Sequence, residues 1–128
     1  MTMKILVIED DDMLRAEIVE YLQRRRHQVV ACGSVATARD ALKAMLADCQ
    51  PPQAIICDVN LPDGNGVDLY VGFASSTPEC RWMLLSGSHD LERLENKLTG
   101  LAGPPPVIVD KPASLRALRQ LVEDRSSL

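Results

Sequence analysis

Apolar residues along this chain fall into five short runs that alternate with stretches of helical spacing. Ile5 to Ile8 is continuous and apolar and ends in Glu9-Asp10-Asp11-Asp12, the pattern of a buried strand emerging into an acidic turn. Leu14, Ile18, Tyr21 and Leu22 then recur at helical spacing, with Asp11 or Asp12 as N-cap and an end near Arg26. Val29-Val30-Ala31 predicts a second strand, and Ser34 opens a helix with Val35, Ala38, Leu42, Met45 and Leu46 on its apolar face, closed by Pro51-Pro52. Ala54 to Cys57 predicts a third strand that delivers Asp58 to its end. Asn60 to Gly66 is dense in turn formers and predicts a loop, after which Val67, Tyr70, Phe73 and Ala74 mark a helix ending before Pro78. Arg81 to Leu85 predicts the fourth strand and leads through Ser86-Gly87-Ser88 to a helix with Leu91, Leu94, Leu98 and Leu101 on one face. Gly103-Pro104-Pro105-Pro106 stops that helix, Val107 to Val109 predicts the fifth strand, and Ser114 opens a last helix through Leu115, Leu118 and Val122.

Short apolar strands alternating with amphipathic helices call for an α/β fold, a parallel sheet covered on both faces, because right-handed crossovers put helices on either side. In such open sheets ligands bind beyond the strand C-termini. Asp58 ends the third run, and a buried carboxylate is costly unless pairing groups wait outside the sheet. Candidates stand at the ends of the other runs: Glu9 and Asp10 after the first, Ser86 after the fourth and Lys111 after the fifth. Along one edge they form the predicted active site.

Glu9, Asp10 and Asp58 would repel one another unless a cation intervenes, and a hard divalent ion suits them. Mg²⁺ takes one or two carboxylates and keeps several waters, so three carboxylates plus a backbone carbonyl just after Asp58 would serve it. Lys111 follows a buried strand directly, and its ammonium would be a point charge suited to phosphate oxygens. Ser86 could donate a hydrogen bond to a transferred group. A carboxylate nucleophile, Mg²⁺, an ammonium and a hydroxyl together match in-line phosphoryl transfer with an acyl phosphate on Asp58. His27 and His89 read as surface or capping residues, and Asp63 and Asp110 as solvated or local pairing groups. No Walker-type loop, G-x-G-x-x-G or Ser-His-Asp set appears.

At 128 residues the chain fits one domain, residues 1–128. Aromatic residues are 3% of it, which leaves no stacking platform for bases and a core of Val, Ile, Leu, Ala and Met. A formal net charge of -4, with Arg24-Arg25-Arg26 as the one basic triplet, argues against nucleic-acid binding; the triplet instead complements a helix C-terminus. Cys32, Cys49, Cys57 and Cys80 show no C-x-x-C pair and read as reduced thiols. The first apolar run is too brief for a signal peptide or a membrane span, so a cytoplasmic location and no membrane partner are expected.

In order and spacing, these motifs resemble the receiver domain of bacterial two-component response regulators, from Lys4 to about Val122. They are Lys4 to Asp11, Asp58-Val59-Asn60-Leu61-Pro62-Asp63-Gly64-Asn65-Gly66, Leu85-Ser86-Gly87 and Asp110-Lys111-Pro112. The resemblance implies a flavodoxin-like, doubly wound sheet of five strands in the order 2-1-3-4-5 with five helices. It implies that Asp58 accepts a phosphoryl group from a histidine kinase or a histidine phosphotransfer protein. Asp10, Asp58 and the Asn60 carbonyl would bind Mg²⁺ directly, with Glu9 acting through water, while Lys111 contacts the phosphoryl group and Ser86 moves to bond it. Such a domain is a phosphoacceptor, not a turnover enzyme, and signals to an output domain or a protein partner, with homodimerisation open. The family couples the Ser86 position to an aromatic residue on the last strand, where this chain has Ile108, and Ala113 stands where a bulky residue is common. The loop from Gly100 to Pro106 is also richer in proline than the family pattern, and Ile108 and this loop raise the alternative of a phosphate-independent docking module. A Mg²⁺ hydrolase, the third reading, lacks a second acid or base beside Asp58.

Overall fold

The computed structural model describes residues 2–86, residue 98 and residues 106–110. The expected fourth and fifth helices fall outside them, apart from Leu98, which is helical and half-buried; His89, Lys111 and Ala113 also lie outside them. Strand β1 spans Lys4–Ile8, β2 Gln28–Cys32 and β3 Ala54–Asp58. A two-residue pair, β4 (Asn60–Leu61) and β5 (Gly64–Asn65), follows, and β6 (Arg81–Ser86) and β7 (Val107–Asp110) complete the set. The main sheet runs β2-β1-β3-β6-β7 with every neighbour parallel. With the β4–β5 hairpin set aside, this is the expected order 2-1-3-4-5.

Continuous apolar runs become the central strands because both of their faces are covered. Leu6, Ile8, Ile55, Cys57, Trp82 and Leu84 point to one face, where they pack with Val35, Ala38, Leu42 and Met45 of α2 (Val35–Ala47) and Val67, Leu69 and Tyr70 of α3 (Gly66–Phe73). The alternate residues Ile5, Val7, Ala54, Ile56, Met83 and Leu85 point to the other face and meet Ile18 and Leu22 of α1 (Asp12–Arg24). Ile108 is half-buried against the first cluster.

Local chemistry sets the helix ends. Asp11 caps α1, its side chain accepting from the amides of Met13 and Leu14. Ser34 caps α2 in a capping box with Thr37, and Asn65 caps α3 by accepting from the Asp68 amide. The stretch expected as a loop from Asn60 to Gly66 therefore contains a short antiparallel hairpin and the first residue of a helix, because Asn65-Gly66 acts as a cap and an N1 position and not as a turn. Beyond α3 a 3-10 turn covers Ala74–Ser76.

His27 is buried, and its Nδ1 accepts the Met3 amide at 3.1 Å, so it caps the entry to β1 from inside the fold. Both α1 and α2 close with a residue in the left-handed region, Arg26 at φ 69° and Cys49 at φ 57°, followed by amides that return to Leu22 and Met45. Glycine adopts that conformation without a Cβ penalty. Cys49→Gly, at an exposed thiol, is expected to stabilise the fold by up to about 1 kcal/mol, the usual scale of left-handed strain. The check is a higher urea midpoint with an unchanged m-value.

Candidate functional site

The strand ends place the acidic side chains where the sequence put them. Asp58 is the last residue of β3 and is buried; Glu9, just past β1, is buried, and Asp10 beside it is exposed. One carboxylate oxygen from each of Glu9, Asp10 and Asp58 lies within 4.8 Å of the others. For the two buried members, Glu9 and Asp58, a repulsion of roughly 3 kcal/mol follows at an effective dielectric of about 20. The chemistry of these three oxygen donors suits a hard cation: the donor set fits Mg²⁺ and offers nothing to a soft metal.

The chain around the cluster is held from several sides. Glu9 Oε2 accepts the Asp11 amide at 3.2 Å, and Asp58 Oδ1 accepts the Asn60 amide at 3.2 Å. Arg15 donates Nη1 to the Glu9 carbonyl at 2.9 Å and Nη2 to Asp12 at 2.6 Å, tying α1 to the acidic turn. The Val59 amide donates to the Leu85 carbonyl at 2.9 Å, which locks the exit from β3 onto β6. Ser86, the next residue of β6, is buried and paired in register with Asp110. Glu9, Asp10, Asp58 and Ser86 thus stand at the C-terminal ends of three neighbouring strands. Lys111 follows Asp110 in sequence and lies outside the described residues.

Cys57 sits directly behind Asp58, its Sγ donating to the Asp58 carbonyl at 3.3 Å. Burial pushes its thiol far above the ordinary range, and the charges of Asp58 and Glu9 push it further, so it stays protonated and inert. Burial also raises the Cys32 thiol. All four cysteines are free, as expected, with Cys32, Cys57 and Cys80 buried.

Two features were hidden from the sequence. A Cβ on Gly66 would lie 2.4 Å from the Asp58 carbonyl oxygen and 2.7 Å from Cys57 Sγ, so only glycine lets α3 start against the end of β3. Asp63, expected as a solvated or local pairing group, is exposed, and it also accepts the distant amides of Val35 at 2.7 Å and Ala36 at 3.0 Å at the start of α2. Those two bonds, in that order, hold its carboxyl below the usual range. The Asp-Gly pair carries an ordinary turn signal, and nothing local in the sequence announces either contact.

A family model described as the response regulator receiver domain matches residues 5–123. The photosynthetic apparatus regulatory protein RegA of Cereibacter sphaeroides is 26% identical over 83 residues, covering 65% of this chain and 42% of RegA. The transcriptional activator DevR/DosR of Mycobacterium tuberculosis is 30% identical over 103 residues, covering 78% of this chain and 45% of that protein. The chain thus spans less than half the length of these two relatives. The non-phosphorylated HemR receiver domain of Leptospira biflexa superposes with a TM-score of 0.76 at 25% identity, over 98% of this chain and 94% of that one. Among the described residues, no helix is long and apolar enough to cross a membrane.

Proposed function

Because the chain belongs to the response regulator receiver domain family, we propose that residues 1–128 form one phosphoacceptor domain that takes a phosphoryl group on Asp58. The donor is a histidine kinase or a histidine phosphotransfer protein, met in the cytoplasm. The observation that carries this reading is the convergence of Glu9, Asp10 and Asp58 within 4.8 Å at the C-terminal edge of a parallel sheet.

Asp10 and Asp58, with the Asn60 carbonyl, would hold Mg²⁺, and Glu9 would reach it through water. When bound, Mg²⁺ neutralises charge on the phosphoryl oxygens and helps to align them. A carboxylate oxygen of Asp58 forms a bond to phosphorus as the bond from phosphorus to the donor imidazole nitrogen breaks. The electron pair leaves on that nitrogen, and the imidazole ends neutral because the other ring nitrogen of the phosphorylated donor carries a proton. Lys111 would offset the charge of the transferred group, and the Ser86 hydroxyl would donate to one of its oxygens. The domain mediates its own phosphorylation and slow dephosphorylation and is not a turnover enzyme. Phosphorylation then shifts a two-state equilibrium read by an output domain or protein partner, without direct nucleic-acid or membrane contact by this segment.

Ile108 favours a second reading. It packs half-buried against the core where an aromatic switch residue would stand, and it carries no ring to turn inward. On that reading the domain docks a partner without using phosphate. One experiment separates the two: incubate the protein with Mg²⁺ and a small acyl phosphate and read its intact mass. One added phosphoryl group per chain, absent in chelator, is expected; no adduct would favour the docking module.

A further inference from the structure

Asp63 stands apart from the acidic cluster, yet it ties the segment leaving Asp58 to the start of α2. Its two oxygens accept from Val35 and Ala36, while the Ser34 hydroxyl accepts from Thr37, so the first three amides of α2 are all engaged. Gly64 follows Asp63 on the same hairpin tip. A Cβ there would lie 3.0 Å from Val35 Cγ2, so the tip rests directly on α2. At the other end of the hairpin, the Asn60 amide donates to Asp58 Oδ1, and Asn60 pairs with Asn65 in register. The hairpin is therefore held at one end by Asp58 and at the other by α2. With two residues per strand, it is too short to hold its own shape.

We propose that Asp63 is a positioning residue for the divalent-ion site: by clamping the hairpin tip on α2, it fixes where the Asn60 carbonyl stands relative to Asp58. The proposal rests on the reading that Mg²⁺ is held by Asp10, Asp58 and Asn60. Coupling of this kind is reciprocal, so an ion at Asp58 steadies the first turn of α2 as much as the clamp steadies the ion. The start of α2 then becomes a surface whose order reports the state of Asp58, on the sheet face that also packs Ile108.

The test compares wild type, Asp63→Ala and Ser34→Ala by calorimetric Mg²⁺ titration, thermal melting and amide exchange at Val35 and Ala36. Ser34→Ala weakens the cap of the same helix without touching the hairpin. Both variants should melt lower than wild type. Asp63→Ala alone should weaken Mg²⁺ binding, by about fivefold or more, and alone should lose the slowing of exchange at Val35 and Ala36 that Mg²⁺ brings. Asp63→Asn, which keeps one acceptor oxygen, should fall between and decides the matter if the alanine variant does not fold. Unchanged Mg²⁺ affinity in the Asp63 variants would reduce this residue to a helix cap, and equal weakening in Ser34→Ala would trace the effect to α2 stability in general. Either result overturns the clamp while leaving the metal site standing. A wild type that binds no Mg²⁺ would remove both.

Discussion

Asp58→Asn will take up no phosphoryl group from an acyl phosphate and, in chelator, will melt at a higher temperature than wild type. The loss follows from chemistry: an amide oxygen is a poor nucleophile toward phosphorus, and no other carboxylate stands at the end of β3. The gain follows from electrostatics. Glu9 and Asp58 are both buried, and one oxygen of each lies within 4.8 Å of the other and of Asp10. Removing one of the three charges relieves a repulsion of a few kcal/mol at an effective dielectric of about 20. Mg²⁺ should invert the ranking. Wild type gains native-state binding energy, about 2.7 kcal/mol at a metal concentration 100 times Kd, and the variant gains little. Melting curves of both proteins with Mg²⁺ and with chelator give all four values. A variant that melts below wild type in chelator would mean that the three carboxylates do not repel as their placement requires.

Gly66→Ala is expected to damage the fold and the site together. The added methyl would meet the Asp58 carbonyl oxygen at 2.4 Å, a backbone atom that cannot rotate away, and Cys57 Sγ at 2.7 Å. Either α3 withdraws from the sheet or the end of β3 shifts, and the second choice moves the carboxylate proposed to receive the phosphoryl group. Overpacking costs typically ~1–3 kcal/mol, and a contact with backbone belongs at the upper end. Combining it with Cys57→Ala removes the sulfur contact and leaves the carbonyl contact, so the double variant should recover only part of the loss. Urea unfolding of the four proteins yields the coupling directly. Full recovery in the double variant would show that sulfur alone opposes the methyl group.

The central sheet was readable because its strands are buried on both faces and therefore written as unbroken apolar runs. Ile5 to Ile8 and Ala54 to Cys57 became β1 and β3, and the acidic residues just beyond them gather in the candidate cluster. The candidate cluster was readable for the same reason: Asp58 and Glu9 are acidic residues attached to buried strands, and parallel pairing aligns their ends. What escaped depends on contacts between segments far apart in the chain. Asp63 reaches Val35 across 28 positions, and no local pattern encodes that distance. Gly66 resembled one more turn glycine, whereas its need for hydrogen in place of a methyl arises from the strand end against which α3 begins. His27, expected as a surface or capping residue, turned out to cap from within, since the Met3 amide beside it needs an acceptor away from solvent.

The most direct measurement is the location of the transferred group. After incubation with Mg²⁺ and a small acyl phosphate, the acyl phosphate formed on the protein is trapped by reduction and its position mapped by peptide mass. A single modified side chain, at Asp58, is expected. Modification at Glu9, Asp10 or a residue elsewhere, or a yield at Asp58 indifferent to chelator, would contradict it.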